Sequence, residues 1–262
     1  MNSSEYFSTN TLLLQENLFS AKNALMNEIY NPEYVKDLFN KMSSSYERMN
    51  YITSFGFSAR WRKQSLKCLK ADTTPVEIID LLSGMGETWN AIFQRYPDAQ
   101  LTALDFSEGM TQYAIAKNRV KYNNKVTILR DNVLSNTLPS GHFDMVTCSY
   151  GLKTFDEQQL TMLGQEVARI LKPGGQFTFV EVSQPANFIL QILYSCYLKF
   201  IIPLLGKVFL ADPTQYKMLW QYTNRFGNAR RTQKVFESCG LQTGYASFFG
   251  GCATGIYGMK SN

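Results

Sequence analysis

The sequence predicts an α/β fold on a mostly parallel sheet, and three observations carry that expectation. An apolar run from Val76 closes on Asp80 and passes through Ser83 into the tight turn Gly84-Met85-Gly86-Glu87. A second apolar run, Leu101 to Leu104, ends in Asp105, at about the 20-residue separation where nucleotide-binding folds place a ribose-binding acid. From residue 75 onward, strand-like runs alternate with helix-period segments, the pattern of parallel strands covered on both faces. With two β-rich runs flanking Gly250-Gly251 at the end, the sum is a Rossmann-like, seven-stranded, mostly parallel sheet with a C-terminal antiparallel hairpin and helical covers.

In chain order, residues 1–30 read as an N-terminal helical extension and residues 31–262 as one domain, with a helical cover over 31–74. Val76 to Leu82 is the first strand, followed by a helix from Gly86 to Arg95 and a second strand from Leu101 to Phe106. Ser107 then caps a helix running to about Asn118, and Glu108 favours its N-terminal dipole. Lys125 to Arg130 and Phe143 to Ser149 are the third and fourth strands. Phe155-Asp156-Glu157 opens a helix to Leu171, with Leu160, Leu163, Val167 and Leu171 spaced by three and four. Lys172-Pro173-Gly174-Gly175 stops it, and Gln176 to Val182 is the fifth strand. Thr232 to Cys239 is helical, and Gly244 to Phe249 and Thr254 to Met259 form the hairpin.

The insert over 185–228 falls outside the alternation and reads as a helical lid at the carboxyl ends of the strands. Within it, Phe188 to Leu210 is long enough to raise a membrane span, but Gln191, Lys199, Pro203 and Gly206 interrupt it. A charge at mid-membrane costs several kcal/mol, which disfavours a span. A greasy lid over an apolar substrate, touching the bilayer surface, and a plain core helix remain the two readings.

A hydrophobic content of 45% against 18% charge is globular rather than disordered. The net charge of +5 is dispersed in small clusters, Arg60-Trp61-Arg62-Lys63 and Arg230-Arg231. These read as solvated helix faces; nucleic acid is not expected, and a peripheral contact with an anionic membrane stays open. Five scattered cysteines without a CxxC pair indicate reduced thiols, hence a cytoplasmic protein or one peripheral on the inner membrane. The single histidine, His142, sits in a polar turn and excludes multi-histidine metal sites; no metal is expected.

Dinucleotide sites want a third glycine where this chain has Trp89. An indole there is expected to crowd a pyrophosphate, whereas S-adenosylmethionine carries no phosphate and loses nothing by it. A strand-turn-helix with no ligand is the bland alternative. In the first reading Ser83, Gly84 and Gly86 let the cofactor approach the backbone and Asp105 binds the ribose. Phe106 or Met110 packs on adenine, Asp80 orients the turn or the cofactor's amino end, and Ser149 and Tyr150 line the methionine side.

Two stretches carry a resemblance: Tyr46-Glu47-Arg48-Met49-Asn50 with Ser54 and Trp61, and Arg169-Ile170-Leu171-Lys172-Pro173-Gly174-Gly175 continuing through Phe177 and Phe179 to Glu181-Val182-Ser183. From Tyr34 to Lys260 the chain resembles the class I S-adenosylmethionine-dependent methyltransferases, and within them the C-methyltransferases of ubiquinone and menaquinone biosynthesis. The resemblance implies C-methylation of an apolar aromatic acceptor, a prenylated demethylquinol, and places Asp131 and Asn132 at the adenine amino group. For that chemistry Lys153 or Tyr150 is expected to stabilise the acceptor phenolate while Glu47 and Asn50 orient it; Tyr46 and Met49 read equally well as helix packing, Asn50 as a helix cap and Lys153 as a solvated loop lysine. Departures cluster in the same places: Glu47 stands where aspartate is usual, Ser58 where histidine is usual, Leu82 and Met85 where small or hydroxylated residues are usual, and Lys153-Thr154 where arginine and asparagine are usual. Another methyltransferase of this fold, acting on a lipophilic natural product, a prenyl diphosphate or a phospholipid amine, or doing other quinone-ring chemistry, stays open. So does a non-methylating cofactor- or lipid-binding module. The expected partners are a small lipophilic substrate, with a membrane surface and a second copy in a homodimer left open.

Overall fold

In the computed structural model, which describes residues 29–44, 46–70, 76–209 and 214–261, seven strands form one sheet. They are β1 (Glu77–Leu81), β2 (Gln100–Leu104), β3 (Val126–Leu129), β4 (Phe143–Ser149), β5 (Leu171–Val182), β6 (Leu241–Phe248) and β7 (Ala253–Lys260), in the order β3-β2-β1-β4-β5-β7-β6. The pairs from β3 across to β5 are parallel, and β7 runs antiparallel to both β5 and β6. The hairpin therefore closes the sheet with β7 inside and β6 at the edge. The extension expected over residues 1–30 lies outside the described residues except for Ile29 and Tyr30.

Helices cover both faces, which is why the strands read as nearly continuous apolar runs. Ile79, Leu81, Val146, Phe177 and Phe179 face α6 (Glu157–Ile170) and α10 (Arg230–Ser238), meeting Leu163, Val167 and Phe236. Ile78, Leu101 and Met145 face the other way, against Leu66 of α3 (Phe57–Leu66) and Trp89 and Ile92 of α4 (Trp89–Arg95). Each such fully buried side chain contributes about 1.5–3 kcal/mol. Local signals act as read: Ser107 caps α5 (Glu108–Lys121) by accepting from the Met110 N–H at 3.2 Å, and Asp156 with Gln159 forms a reciprocal capping box on α6. The N-terminal segment supplies α1 (Pro32–Met42) and α2 (Tyr46–Thr53) before α3. The insert supplies α7 (Phe188–Cys196), a π turn (Tyr197–Ile201), α8 (Ile202–Phe209) and α9 (Thr214–Phe226).

Three local expectations change. The sequence Lys172-Pro173-Gly174-Gly175 ends α6 but does not delay the strand: Leu171 already pairs with Phe143, and the next pair is Gln176 with Met145, so the four residues bulge out within β5. Helix α4 begins at Trp89 rather than Gly86, because Gly86 sits at φ 76° in the left-handed region that a right-handed helix cannot use. Trp89 itself does not crowd the ligand side of the turn. Its indole is fully buried beneath the turn, 5.7 Å from the Tyr122 ring and donating to Ser83 Oγ at 2.9 Å.

Candidate cofactor and acceptor site

Strand order reverses between β1 and β4, so the carboxyl ends of these neighbours open a crevice. A cleft of about 820 Å³ fills it. Ser83 and Gly84 of the turn, Asp105 and Phe106 after β2, Met110 of α5, Asp131 and Asn132 after β3, Ser149 at the end of β4 and Tyr150 after it all line its wall. Gly86, expected beside the cofactor, does not line it, and neither does Asp80, which was expected to orient either the turn or the cofactor's amino end and here bonds Ser83 of the turn. Asp80 is held behind the turn by Ser83 and Thr147, and Gly86 follows the left-handed residues Leu82 (φ 52°) and Gly84 (φ 57°) and packs against the Trp89 ring.

Asp80 is buried, its Oδ1 accepting from Thr147 Oγ1 at 2.7 Å and its Oδ2 from Ser83 Oγ at 2.9 Å. With Trp89 donating to the same Ser83 hydroxyl, this chain of bonds ties β1, β4 and α4 to the turn. Burial pushes the Asp80 carboxyl up to about 7, against the bonds from Thr147 and Ser83. Asp105 holds the turn from the other side, accepting from the Gly84 N–H at 2.8 Å and the Ser107 N–H at 2.8 Å. Its carboxyl is raised by burial to about 6, and each oxygen keeps a second lone pair for a ribose hydroxyl.

Two groups on this wall were not legible as site residues. Arg62 of α3 is 6% exposed, stands 4.7 Å over the Tyr150 ring, and its Nε has no hydrogen-bond partner. Glu87 has a buried, unpartnered Oε1 in the same cleft. The two do not form an ion pair within 4.0 Å, although each alone is costly to bury. The Arg60-Trp61-Arg62-Lys63 cluster is thus only half solvated: Arg60 and Lys63 are exposed, Trp61 and Arg62 buried. The signal was the spacing Trp61, Arg62, Ser65, Leu66, one buried stripe of a helix.

These residues fit S-adenosylmethionine. Unpaired charges of opposite sign suit its zwitterionic amino-acid end, Asp105 suits a ribose, and Phe106, Met110, Val133 and Leu134 give an apolar wall for adenine.

A second cavity of about 930 Å³ lies under the lid. It is largely apolar, with Trp61, Phe57, Val182, Tyr194, Tyr197, Leu198, Ile202 and Phe249 on its walls, and Asn50 and Lys153 among its few polar groups. Tyr46 and Tyr150 line both cavities, so the two meet at these side chains. Burial pushes both phenols well above the usual tyrosine range. Tyr150 stands at φ 70° and donates its hydroxyl to the Ser58 carbonyl at 2.7 Å, so it is a fixed wall with its proton already committed.

Lys153 sits on a single 3₁₀ turn (Leu152–Thr154) after β4. Its ammonium donates to Glu181 Oε1 at 2.9 Å and to the Tyr150 carbonyl at 2.6 Å, and Glu181 Oε2 accepts from the Lys153 N–H at 3.1 Å. The pair is buried, 7% exposed at the lysine and 0% at the glutamate. Glu181 was also missed; an acid in a strand covered on both faces needs a partner cation, and that was its signal. Glu47 is a correction. On α2, Tyr46 and Asn50 share the cavity face four residues apart, while Glu47 turns outward and pairs with Lys117 of α5 at 2.8 Å.

Among known proteins, the chain matches the ubiE/COQ5 methyltransferase family over residues 26–260. It is 33% identical over 233 residues to a demethylmenaquinone methyltransferase of Lactococcus lactis, covering 88% of this chain and 91% of that protein. A demethylmenaquinone methyltransferase of Listeria monocytogenes is 29% identical over 231 residues, covering 87% and 96%. Solved structures agree on the fold. A putative O-methyltransferase from Nostoc punctiforme superposes with a TM-score of 0.61 at 14% identity, over 85% of this chain and 60% of that one. Human N-acetylserotonin methyltransferase in complex with S-adenosylmethionine does so with a TM-score of 0.59 at 16% identity, over 86% and 59%.

Proposed function

The chain belongs to the ubiE/COQ5 methyltransferase family, and from that premise we propose that it transfers a methyl group from S-adenosylmethionine to a ring carbon of a reduced, prenylated demethylquinone in quinone biosynthesis. The observation that carries the reading is the pair of cavities joined at Tyr46 and Tyr150, one walled for a charged nucleoside and the other for an apolar ring with a tail. S-adenosylmethionine, when bound, supplies an electrophilic methyl group on a sulfonium centre. Arg62 would hold its carboxylate, Glu87 its ammonium, Asp105 the ribose, and Asp131 and Asn132 the adenine edge.

On the acceptor side the chain must orient the ring and favour its ionised form. Lys153 has three N–H donors and uses two on Glu181 and Tyr150, which leaves one for an acceptor oxygen on the cavity wall. A cation fixed in this way stabilises charge developing on the ring oxygen, and an ionised oxygen places electron density on the adjacent carbon. The hydroxyl proton leaves to solvent. After the new C–C bond forms, the ring carbon releases its own proton and aromaticity returns. Asn50 orients the ring through its amide, and the phenol of Tyr150 keeps water out between the two cavities.

The test is incubation of the purified protein with S-adenosylmethionine and a reduced demethylquinone, with the product identified by mass and by the position of its methyl group. Lys153→Met should lower kcat/KM by about 10²–10³-fold with cofactor affinity unchanged, the cost of losing one preorganised donor to a developing oxyanion. Unchanged turnover would remove Lys153 from the mechanism.

A further inference from the structure

The helix that closes the acceptor cavity has two faces, and the cavity uses one of them. Tyr194, Tyr197 and Ile202 turn inward to line it. Phe188, Ile189, Leu193, Phe200 and Leu204 point away and stand between 57% and 71% exposed. Only 17% of the stretch Phe188–Leu205 is buried, whereas a core helix this apolar would be covered. Single exposed apolar residues are ordinary; a contiguous row of large ones marks an interaction surface.

The row is continuous with the mouth of the cavity. Phe55 and Phe249 line the cavity and are also 77% and 60% exposed. Phe55 lies 6.2 Å from the Tyr197 ring, and Phe249 lies 4.7 Å from the Phe57 ring, on which the Arg60 guanidinium rests at 5.9 Å. The charge is of one sign: the three segments that carry this surface, 50–70, 184–205 and 238–261, contain no acidic residue, while Arg60, Lys63 and Lys199 on them are exposed. Lys199 Nζ sits between two rings, 5.1 Å from the Trp220 centroid and 5.2 Å from that of Phe200, an exposed lysine whose ammonium lies at the edge of the apolar row.

We infer that this face seats on an anionic lipid bilayer, with α7 to α8 lying in the headgroup plane and the cavity mouth opening toward the acyl region. A prenyl-tailed acceptor then enters without crossing water. The helix does not span: Leu198 and Ile202 are 3% exposed and pack with Met42 of α1, so a membrane crossing would strip a wall from the cavity. An apolar stripe flanked by cations on a body of this kind is the physical form of an interfacial helix. The inference deepens the quinol reading and rests on it for the purpose of the surface.

The experiment is vesicle flotation of the full chain, with phosphatidylcholine alone and with phosphatidylcholine containing phosphatidylglycerol at about 30 mol%, a strongly anionic surface. The protein should float with the anionic vesicles and less so as salt rises. Ile189→Asp with Leu193→Asp, neither on a cavity wall, should weaken flotation about tenfold or more. That variant should keep cofactor affinity and methylation of a short-tailed soluble acceptor, and lose methylation of a long-tailed acceptor embedded in vesicles. Arg60→Glu with Lys63→Glu should weaken flotation on anionic vesicles alone. The inference is overturned if wild type floats with neither vesicle, or if the Asp variant floats like wild type. It is equally overturned if wild type sediments without lipid as a dimer that the Asp variant converts to a monomer, since the face would then belong to a second copy, or if carbonate washing fails to release the protein, which would mean a span. Flotation without methylation of either acceptor would reject the substrate and keep the surface; methylation of both without flotation would do the reverse.

Discussion

Replacing Lys153 by methionine separates the fold's demands from the chemistry's. The Lys153–Glu181 pair is buried at both ends, with Nζ 2.9 Å from Oε1. In Lys153→Met, Glu181 keeps two backbone donors, the Val182 N–H at 2.8 Å and the N–H of residue 153 at 3.1 Å, but loses its cation while its own carboxylate stays fully buried. Removing one partner of a buried pair costs about 3–5 kcal/mol, against about 0–1 kcal/mol for an exposed pair. At about 2–4 °C per kcal/mol for a domain near this size, Tm should fall by about 6–20 °C. Adding Glu181→Gln removes the stranded charge, so the double variant should recover most of the loss and the cycle should give a coupling of about 2 kcal/mol or more. The assay is denaturant unfolding of the wild type, both single variants and the double variant at one pH. A loss below about 1 kcal/mol in Lys153→Met would show that the pair behaves as a surface pair and would refute the claim that Glu181 fixes the lysine on the cavity wall.

Arg62→Met and Glu87→Gln should each weaken S-adenosylmethionine binding by about 10–100-fold in calorimetric titration, the scale of a hydrogen bond to a charged group, while Arg62→Met leaves stability equal or higher because an unpaired buried charge is gone. Asp80, raised by burial from 3.8 to about 7, binds a proton more tightly folded than unfolded, so its contribution to stability falls as pH rises through that window. The stability of Asp80→Asn relative to wild type should therefore improve from pH 4 to pH 7.5 by about 1 kcal/mol or more, and a constant gap in urea unfolding would show that ionising Asp80 carries no penalty. Cofactor affinity should drop as pH falls below about 6, where Asp105 takes up a proton and loses acceptor capacity; Asp105→Asn should be weaker throughout and lack that step in titrations across pH. Gly86→Ala would place a Cβ 2.5 Å from the Trp89 ring at φ 76° and should cost about 2 kcal/mol in unfolding experiments.

The centre of the sheet was legible because β1 and β4 are buried on both faces and therefore written as apolar runs, and because Gly84 and Gly86 mark a turn that Asp105 closes. Strand β5 was read five residues short, since Leu171 is recruited by its pairing with Phe143, a partner the local breaker sequence does not reveal. Most of the cleft lining followed from position at strand ends. What failed was orientation: Glu47 lies one residue from Tyr46 but 100° around a helix, and only the packing of α2 against the lid and α5 decides which of them faces the cavity. Trp89 failed for the same reason, pointing into the core where a ligand-side indole was expected. Lys153 and Glu181 are 28 residues apart and meet only because β4 and β5 are neighbours. Arg62 was hidden inside a basic cluster whose other cations are solvated.

The most direct measurement is the product formed from a reduced demethylquinone and S-adenosylmethionine carrying an isotopically labelled methyl group, followed by mass spectrometry and by NMR of the purified product. The account predicts one labelled methyl group per turnover, bonded to a ring carbon, with S-adenosylhomocysteine released in equal amount. Label on a ring oxygen, or cofactor bound without any transfer, would contradict it.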